Sequence, residues 1–253
     1  MPRYSQVFLN DKIICREIAA ALDGEEFESL VEIGPGRGAL TEFLYSRYAL
    51  RFAAVEIDSE MTRLLKGSYP GIKIINRDFL ELDLAALTGG ARTAFIGNLP
   101  YDCSTPILER VLAFENLALA VFMFQKEVAR RITARSGSGD YGYLSVAVQL
   151  SAQATLLKDV GAASFTPVPE VDSSVLLLRP LRPPPAGRKE VLGLVKMAFA
   201  HRRKTLVNSL ALSGKFSKSG VESALSRMSI GPKARAQELT PGDYLRLMGE
   251  LAA

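Results

Sequence analysis

A glycine-rich segment and a later acidic residue form the clearest chemical pattern in this chain. Glu32-Ile33-Gly34-Pro35-Gly36 follows a short apolar run, and Glu56 stands 22 positions after Gly34. Glycines allow a sharp turn and a close approach of ligand to backbone, while an acid at this distance can accept hydrogen bonds from ribose hydroxyls. The two features predict a site for a nucleoside-containing cofactor. The structural alternative is a tight turn that simply needs glycine.

The spacing of the glycines distinguishes between two classes of cofactor. Dinucleotide-binding turns use Gly-x-Gly-x-x-Gly, which seats a pyrophosphate at a helix N-terminus. Here Gly34, Gly36 and Gly38 are separated by one residue each, and Glu32 lies just upstream. A carboxylate beside the turn repels a pyrophosphate but attracts the sulfonium and ammonium groups of S-adenosylmethionine. We therefore expect S-adenosylmethionine as the cofactor, with a nicotinamide-dependent oxidoreductase as the competing hypothesis.

The segment Asn98-Leu99-Pro100-Tyr101 carries groups suited to an amine substrate. The exocyclic amine of adenine is a poor nucleophile, because its lone pair is delocalised into the ring. The side-chain oxygen of Asn98 and a main-chain carbonyl of Leu99 or Pro100 can accept its two hydrogens and align the nitrogen with a methyl donor. Tyr101 offers a flat face for an extruded base. These residues predict methylation of an adenine amine; the alternative is a turn capped by Asn98, with Tyr101 covering the sheet edge.

The elements that must position these residues follow from an alternation of apolar runs and helical patterns. Short, nearly continuous apolar runs predict strands buried on both faces, over 30–33, 52–55, 72–75, 93–96 and 119–124. Helical spacing predicts crossover helices over 39–48, 59–68, 104–113 and 126–134. The alternation is typical of an α/β fold with a doubly wound, Rossmann-like parallel sheet. Residues 154–160 and 173–178 are predicted to add an antiparallel edge pair.

Open sheets of this class bind ligands beyond the carboxyl ends of their strands. Glu32, Glu56 and Asn98 each lie at or next to the end of a predicted strand, and Asp78 follows another in Asn76-Arg77-Asp78-Phe79. Asp78 is therefore placed to hold an adenine amino group, although an aspartate here can equally cap a helix.

A Pro-rich linker over residues 181–187 divides the chain. Because proline interrupts helices and central strands, we predict a catalytic domain over 1–180, a linker over 181–187 and a small helical domain over 188–253. After residue 185 the chain contains 12 Lys and Arg against 5 Asp and Glu, although its net charge is only +4. A basic domain predicts a polyanionic partner such as nucleic acid, the alternative being a solvated helical surface.

The composition excludes several other classes of protein. With 48% apolar and 23% charged residues, the chain is neither disordered nor fibrous. One histidine and two cysteines argue against a histidine-based triad and a disulfide framework, and we expect no metal site. The sequence shows neither a secretory signal nor an apolar run of bilayer length. We therefore expect a cytoplasmic monomer without a membrane segment.

Asn98-Leu99-Pro100-Tyr101, preceded by Glu32–Gly36, resembles the ribosomal RNA adenine dimethyltransferases, and the resemblance covers almost the whole chain. In that family, two adjacent adenines in a hairpin loop near the 3′ end of small-subunit rRNA are dimethylated with S-adenosylmethionine. The resemblance implies the same reaction here, on rRNA within an immature small ribosomal subunit. It also implies that residues 5–9 form a segment that closes over the cofactor.

The resemblance, together with the reasoning above, gives a set of expected contacts to the cofactor. Their shared feature is a position at a strand end, in a turn that follows one, or in the N-terminal segment. The set is Gln6, Leu9, Glu32, Gly34, Gly36, Glu56, Ile57, Asp78, Phe79 and Asn98.

For the substrate, the resemblance implies a stacking pair. Phe165-x-Pro167-x-Pro169-x-Val171-x-Ser173 matches a family motif whose phenylalanine stacks on the target base opposite Tyr101. Without the resemblance, Phe165 is better interpreted as a core aromatic in a Pro-rich turn. The expected catalytic residues are Asn98, Leu99, Pro100, Tyr101 and Phe165.

The expected RNA contacts are basic. Arg202, Arg203 and Lys204 match a basic signature of the family at the start of the C-terminal domain. Lys126 and Arg130 lie on the helix after the fifth strand, where they can contact phosphates or simply form a solvated face.

The chain departs from the family pattern at two places. Val7 stands where the family usually has Asn or His, so a side-chain hydrogen bond to the cofactor is lost while main-chain contacts from Phe8 or Leu9 remain possible. Asp102-Cys103 replaces the usual Asn-Ile and is expected to adjust the pocket wall. Leu99 and the basic signature favour the small-subunit branch. The alternatives are a macrolide-resistance-type methyltransferase acting on large-subunit rRNA and a non-catalytic ribosome assembly factor.

Overall fold

The structure is a computed structural model that describes residues 7–252. Its strands are β1 (Phe8–Leu9), β2 (Ser29–Ile33), β3 (Phe52–Glu56), β4 (Lys73–Asn76), β5 (Thr93–Asn98), β6 (Leu117–Gln125), β7 (Ala152–Val160), β8 (Phe165–Thr166) and β9 (Ser173–Pro180). Its α-helices are α1 (Lys12–Ala20), α2 (Thr41–Tyr48), α3 (Ser59–Ser68), α4 (Leu84–Thr88), α5 (Ser104–Leu112), α6 (Lys126–Thr133), α7 (Tyr143–Gln149), α8 (Arg188–Phe199), α9 (Leu206–Leu212), α10 (Lys218–Arg227) and α11 (Pro241–Ala252).

Seven strands form one sheet in the order β4-β3-β2-β5-β6-β9-β7. The pairs β2–β3, β2–β5, β3–β4 and β5–β6 are parallel, and β6–β9 is antiparallel. Strands β3 and β6 are buried along almost their whole length, as their apolar sequences predict. The Rossmann-like α/β sheet is therefore confirmed, and so are the four crossover helices expected after the strands.

The chain order places a crevice at the centre of this sheet. From β2 the chain runs outward through β3 and β4, and then returns to the other side of β2 to form β5 and β6. The connections after β2 and β5 therefore diverge at the carboxyl edge, which is where open α/β sheets bind their ligands. Asp58 begins α3 by accepting hydrogen bonds from the Glu60 and Met61 amides, which fixes the turn after β3.

A second, two-stranded sheet joins the N-terminal segment to the segment that contains Pro167 and Pro169. Strands β1 and β8 are antiparallel, with Phe8 opposite Thr166 and Leu9 opposite Phe165. The main-chain amide of Asn10 donates to the carbonyl of Ser164 at 2.9 Å, which extends this pairing by one residue. The sequence patterns did not predict the pairing, because the two strands contain only two residues each.

The chain divides into two compact units that differ from the predicted domains. The first contains the chain up to Ala129 and Ala154–Pro180, and the second contains Arg130–Gln153 and the chain from Leu181 onward. Residues 130–153, which the sequence analysis assigned to the first domain, therefore belong to the helical unit. The reason is burial of apolar side chains, since Tyr141, Val146 and Leu150 pack in one core cluster with residues of α8–α11. Residues 181–187 form neither helix nor strand.

Candidate active site

A cavity of about 630 Å³ opens at the carboxyl edge of the sheet in the first unit. This volume lies within the range typical of cofactor and ligand sites. Its wall includes every expected cofactor residue within 7–252 and four of the five expected catalytic residues. They are Leu9, Glu32, Gly34, Gly36, Glu56, Ile57, Asp78, Phe79, Asn98, Leu99, Pro100 and Tyr101. Gln6 lies outside the described residues.

The glycine turn after β2 has the backbone conformation that its sequence suggests. Gly34 and Gly36 have φ angles of +66° and +55°, which side-chain-bearing residues rarely adopt. The Gly34 amide donates to the Val55 carbonyl at 2.9 Å, which ties the turn to β3. A Cβ atom on Gly36 would lie 2.9 Å from Cε1 of Phe8, so the N-terminal strand passes directly over the turn.

The Glu56 carboxylate at the end of β3 is held by two main-chain amides. Its Oε2 atom accepts from the Gly36 amide and its Oε1 atom from the Asp58 amide, both at 2.9 Å. Burial raises the pKa of Glu56, and these two hydrogen bonds oppose the rise by stabilising the charged form. Each oxygen can accept more than one hydrogen bond, so both keep capacity for a ligand hydroxyl.

Glu32 is the more deeply buried acid of the site, with 1% of its surface exposed. The Thr41 hydroxyl donates to its Oε2 atom at 2.7 Å. Burial raises the pKa of Glu32 to about 8; the Thr41 hydrogen bond opposes this, and the nearby Glu56 carboxylate adds to it. Glu32 therefore holds a proton near neutral pH, and a positively charged ligand in the cavity would favour its ionised form.

Asp78 caps a short helix and also lies in the wall of the cavity. Its Oδ1 atom accepts from the Leu80 amide at 2.8 Å, which caps a short 3-10 helix over Phe79–Glu81, and the residue also lines the cavity. Phe79 beside it is 4% exposed and packs edge-on against Phe95, with ring centroids 6.1 Å apart. Asp78 thus presents a polar group next to an aromatic wall.

The amide of Asn98 is oriented by the N-terminal segment. Its Nδ2 atom donates to the Val7 carbonyl at 3.1 Å, which leaves the side-chain oxygen as the remaining acceptor. The Val7 position therefore contributes to the site through its main chain, although its side chain cannot hydrogen-bond. Gly97, the residue before Asn98, lets β5 lie close to the end of β2, since a Cβ atom there would lie 2.4 Å from the Ile33 carbonyl oxygen.

Only one member of the expected stacking pair lies in the cavity wall. Tyr101 lines the cavity, and its hydroxyl lies 3.4 Å from the Ser173 hydroxyl. Phe165, in contrast, is 1% exposed, belongs to the core cluster that contains Leu9, and is absent from the cavity wall. Pairing of β8 with β1 places Phe165 opposite Leu9 and directs it to the core. The prediction that Phe165 faces Tyr101 across a base is therefore wrong for this arrangement.

Two of the expected RNA-binding side chains have partners within the protein. The Lys126 ammonium lies 2.9 Å from Asp159 and 3.9 Å from Asp172, so it forms ion pairs within the first unit. In the second unit, the Arg202 guanidinium donates to the carbonyls of Gly139 and Tyr141 at 3.2 and 2.9 Å. Both predictions missed these partners because the partners lie far away in the sequence.

The remaining expected RNA contacts are exposed. Arg130, Arg203 and Lys204 all belong to the second unit, and each presents its side chain to solvent. Within residues 7–252, no helix combines the length and apolar character needed to cross a bilayer. The same residues contain no group of three or more His, Cys, Asp or Glu side chains arranged to hold a metal ion.

Comparison with known proteins identifies the family. The profile described as ribosomal RNA adenine dimethylase matches residues 1–253. The chain belongs to the ribosomal RNA adenine dimethylase family. Among its relatives, a protein of Methylococcus capsulatus named ribosomal RNA small subunit methyltransferase A is 41% identical, over 98% of this chain and 96% of the relative.

Solved structures agree with this family assignment. A dimethyladenosine transferase from Plasmodium falciparum is 25% identical and superimposes with a TM-score of 0.77, covering 95% of each chain. The 23S rRNA methyltransferase ErmE is 27% identical, with a TM-score of 0.70 over 97% of this chain and 100% of its own. The sheet of this adenine dimethylase is therefore the methyltransferase sheet of its structural neighbours.

Several lining residues of this family member were absent from the predicted set, among them Phe8, Arg37 and Cys103. Phe8 covers Gly36, and the Arg37 guanidinium stacks over the Phe8 ring with its carbon 4.7 Å from the ring centroid. Cys103 also lines the cavity, next to Tyr101 and Asp102. Phe8 lay within the N-terminal segment that was expected to close over the cofactor, whereas nothing in the sequence pattern distinguishes Arg37.

Proposed function

We propose that this protein transfers methyl groups from S-adenosylmethionine to the exocyclic amines of two adjacent adenines in a 3′-terminal hairpin loop of small-subunit rRNA, dimethylating each. The observation that carries the proposal is the orientation of Asn98. With its nitrogen bound to the Val7 carbonyl, its oxygen is the acceptor that remains for an amine hydrogen. The family assignment and the name of the Methylococcus capsulatus relative support adenine in small-subunit rRNA as the target.

The cavity residues fit S-adenosylmethionine. Glu56, with lone pairs to spare, would accept from the ribose hydroxyls, and Asp78 with Phe79 would hold the adenine. Glu32 would complement the positively charged end of the cofactor, and Gly34 and Gly36 would let it approach the main chain. When bound, S-adenosylmethionine supplies an electrophilic methyl group on its sulfonium. The Glu56 contact would serve the ribose of a dinucleotide equally well, so the discriminating group is Glu32, whose carboxyl beside the glycine turn favours a cationic cofactor over a pyrophosphate.

Asn98 and its neighbours would prepare the amine for methylation. The Asn98 oxygen and a main-chain carbonyl of Leu99 or Pro100 would accept the two amine hydrogens, which directs the nitrogen lone pair toward the methyl group. Tyr101 would stack on the extruded base, a contact typically worth about 1–3 kcal/mol per base. Arg203, Lys204 and Arg130 would contribute salt-dependent contacts to phosphates.

The substrate and the cellular setting are part of the same proposal. We propose that the protein acts as a monomer, in the cytoplasm, on an immature small ribosomal subunit that presents the hairpin loop. A loop adenine costs less to extrude than a paired one, because it gives up less stacking and pairing energy.

The proposal is tested with labelled S-adenosylmethionine and two substrates, small subunits that lack the adenine modification and large subunits. We expect label in N6,N6-dimethyladenine of small-subunit rRNA only. Label confined to the large subunit would favour the macrolide-resistance-type activity. Tight binding to the small subunit without any transfer would favour a non-catalytic assembly factor.

A further inference from the structure

The side chain of Lys126 joins two carboxylates in the first unit. Lys126 is the first residue of α6, directly after β6, and its side chain is 32% exposed. Its ammonium lies 2.9 Å from Oδ2 of Asp159 on β7 and 3.9 Å from Oδ2 of Asp172, the residue before β9. The Lys126 ammonium therefore links two acids that come from different segments.

Both acids also accept hydrogen bonds from the ends of the segment that connects β7 to β9. The Asp172 Oδ1 atom accepts from the Ala162 amide at 3.1 Å, and the Asp172 carbonyl accepts from the Lys126 amide at 2.9 Å. The Ser174 hydroxyl donates to Oδ1 of Asp159 at 2.6 Å. The Pro-rich segment over 162–174 is thus fixed at both ends by groups that Lys126 holds together.

This network continues to the wall of the cavity. Ser173, between Asp172 and Ser174, is fully buried, and its hydroxyl lies 3.4 Å from the Tyr101 hydroxyl. Tyr101 is the aromatic residue that lines the cavity beyond Asn98. Only two contacts therefore separate the Lys126 ammonium, through Asp172 and its neighbour Ser173, from the Tyr101 ring.

We propose that Lys126 is a positioning residue that sets the Tyr101 ring for the target adenine by fixing the segment over 162–174. The inference rests on the proposed function, and it replaces the expectation that Lys126 contacts RNA phosphates. Without the ammonium, the Asp159 and Asp172 carboxylates repel each other, and Asp172 is the one attached to a loop. Movement of Asp172 carries Ser173 with it and releases the hydroxyl of Tyr101.

The variant Lys126→Met tests this role, because it removes the charge and keeps most of the aliphatic stem. We expect kcat on unmodified small subunits to fall about 10- to 100-fold, since small misplacements of a substrate-positioning group have effects of this size. The KM for S-adenosylmethionine should stay unchanged. Lys126→Arg, which can still bridge both acids, should restore most of the activity.

Lys158→Met is the matched control. Lys158 lies on β7, one residue before Asp159, and its ion pair is made with Glu17 rather than with the Pro-rich segment. The control removes an ion pair of similar exposure by the same substitution, and we expect it to leave kcat unchanged. A purely structural effect of losing a lysine would lower both variants alike.

The salt dependence of RNA binding distinguishes positioning from phosphate contact. Loss of a phosphate contact reduces the slope of log K against log salt concentration by about 1. We expect Lys126→Met to keep the wild-type slope. Arg203→Met, in the helical unit, should reduce the slope. A reduced slope for Lys126→Met with wild-type kcat at saturating RNA would overturn the inference.

Asp172→Asn keeps the test decisive if Lys126→Met fails to fold. It weakens the same junction without removing any positive charge, so we expect kcat to fall while RNA affinity stays or rises. Unchanged kcat in Asp172→Asn would overturn the positioning role and leave the proposed function intact. If the wild-type protein methylates neither ribosomal subunit, the proposed function fails, and the inference fails with it.

Discussion

The carboxyl edge of the sheet and the basic surface of the helical unit use polar groups in different ways. At the sheet edge, Glu32, Glu56 and Asn98 are each held by a defined hydrogen bond, and the two acids are almost fully buried. In the helical unit, Arg203 and Lys204 extend into solvent. The first arrangement is organised before any ligand arrives, so it controls geometry. The second contributes attraction that depends on salt rather than a fixed position.

Arg202 shows that the two arrangements can occur side by side. It belongs to the same basic run as Arg203, but two main-chain carbonyls accept hydrogen bonds from its guanidinium. Neighbouring residues of one basic motif therefore have different roles, and its hydrogen bonds to main-chain carbonyls identify Arg202 as the structural one.

Asn98→Ala should reduce methyl transfer by about 10²- to 10³-fold, the loss typical of removing one aligned polar group from an active site. Binding of S-adenosylmethionine, measured by calorimetry, should change little, because Glu32, Glu56 and Asp78 remain. Asn116→Ala is the control, since Asn116 also donates to a main-chain carbonyl, that of Gly90, but precedes β6 at the opposite edge. Wild-type turnover in Asn98→Ala would contradict the assigned role.

Glu32→Gln should change how stability depends on pH. The folded-state pKa of Glu32, about 8, lies above its ordinary value of 4.5, so the folded protein binds a proton that the unfolded chain releases between these values. The free energy of unfolding should therefore fall as pH rises from about 5 to 8, by an amount on the order of 3 kcal/mol. Glu32→Gln should remove this part of the slope.

The measurement is urea unfolding at several pH values between 5 and 8. Glu42→Gln serves as the control, because Glu42 is exposed and pairs with Lys12. Equal slopes for wild type and Glu32→Gln would mean that Glu32 is ionised in the folded protein despite its burial. Burial also raises the pKa of Glu56, so some slope should persist in the variant.

Two glycine substitutions should have opposite signs in the two units. A Cβ at Gly97 would lie 2.4 Å from the Ile33 carbonyl oxygen, and neither strand can yield easily, so Gly97→Ala should cost about 1–3 kcal/mol of stability. Gly193 lies inside α8 with open space around it, and Gly193→Ala should stabilise by roughly 0.5–1 kcal/mol. Thermal unfolding checks both; a neutral Gly97→Ala would show that the strands are not closely packed there.

The smallest effects belong to the basic surface. Arg203→Met should weaken binding to small-subunit rRNA at low salt by about 0.2–1 kcal/mol and leave the melting temperature unchanged. Arg202→Met should instead lower the melting temperature, because Gly139 and Tyr141 lose a hydrogen-bond donor. The same melting temperature for both variants would remove the distinction between them.

The strands and their ends could be predicted, but many of the contacts between distant segments could not. Each of the strands β2 to β6 was visible as a local apolar run, and Glu56 and Asn98 follow from where two of them end. Phe165 was misplaced because its burial depends on a pairing with Leu9 that no local pattern reveals. The partners of Lys126 were missed for the same reason, since Asp159 lies on β7 and Asp172 lies in the segment before β9.

The assignment of residues 130–153 failed for a related reason. The Pro-rich linker was the only boundary that the sequence predicted, but a chain can leave a unit and return to it. Tyr141 packs against Phe199 and donates its hydroxyl to the Leu239 carbonyl at 2.9 Å, so its partners lie well beyond the linker. Apolar burial of this kind assigns a segment to a unit regardless of its position along the chain.

What the sequence alone determined is the kind of sheet and the edge at which chemistry occurs. Alternating buried strands and helices require parallel pairing, and parallel strands bring their carboxyl ends to one edge. Contacts formed in the folded chain set the orientation of the Asn98 amide, the raised pKa of Glu32, and the surroundings of Phe165 and Lys126. Most of these depend on contacts between residues far apart in the chain, such as Val7 and Asn98, which are 91 positions apart. Local periodicity carries no information about such pairs.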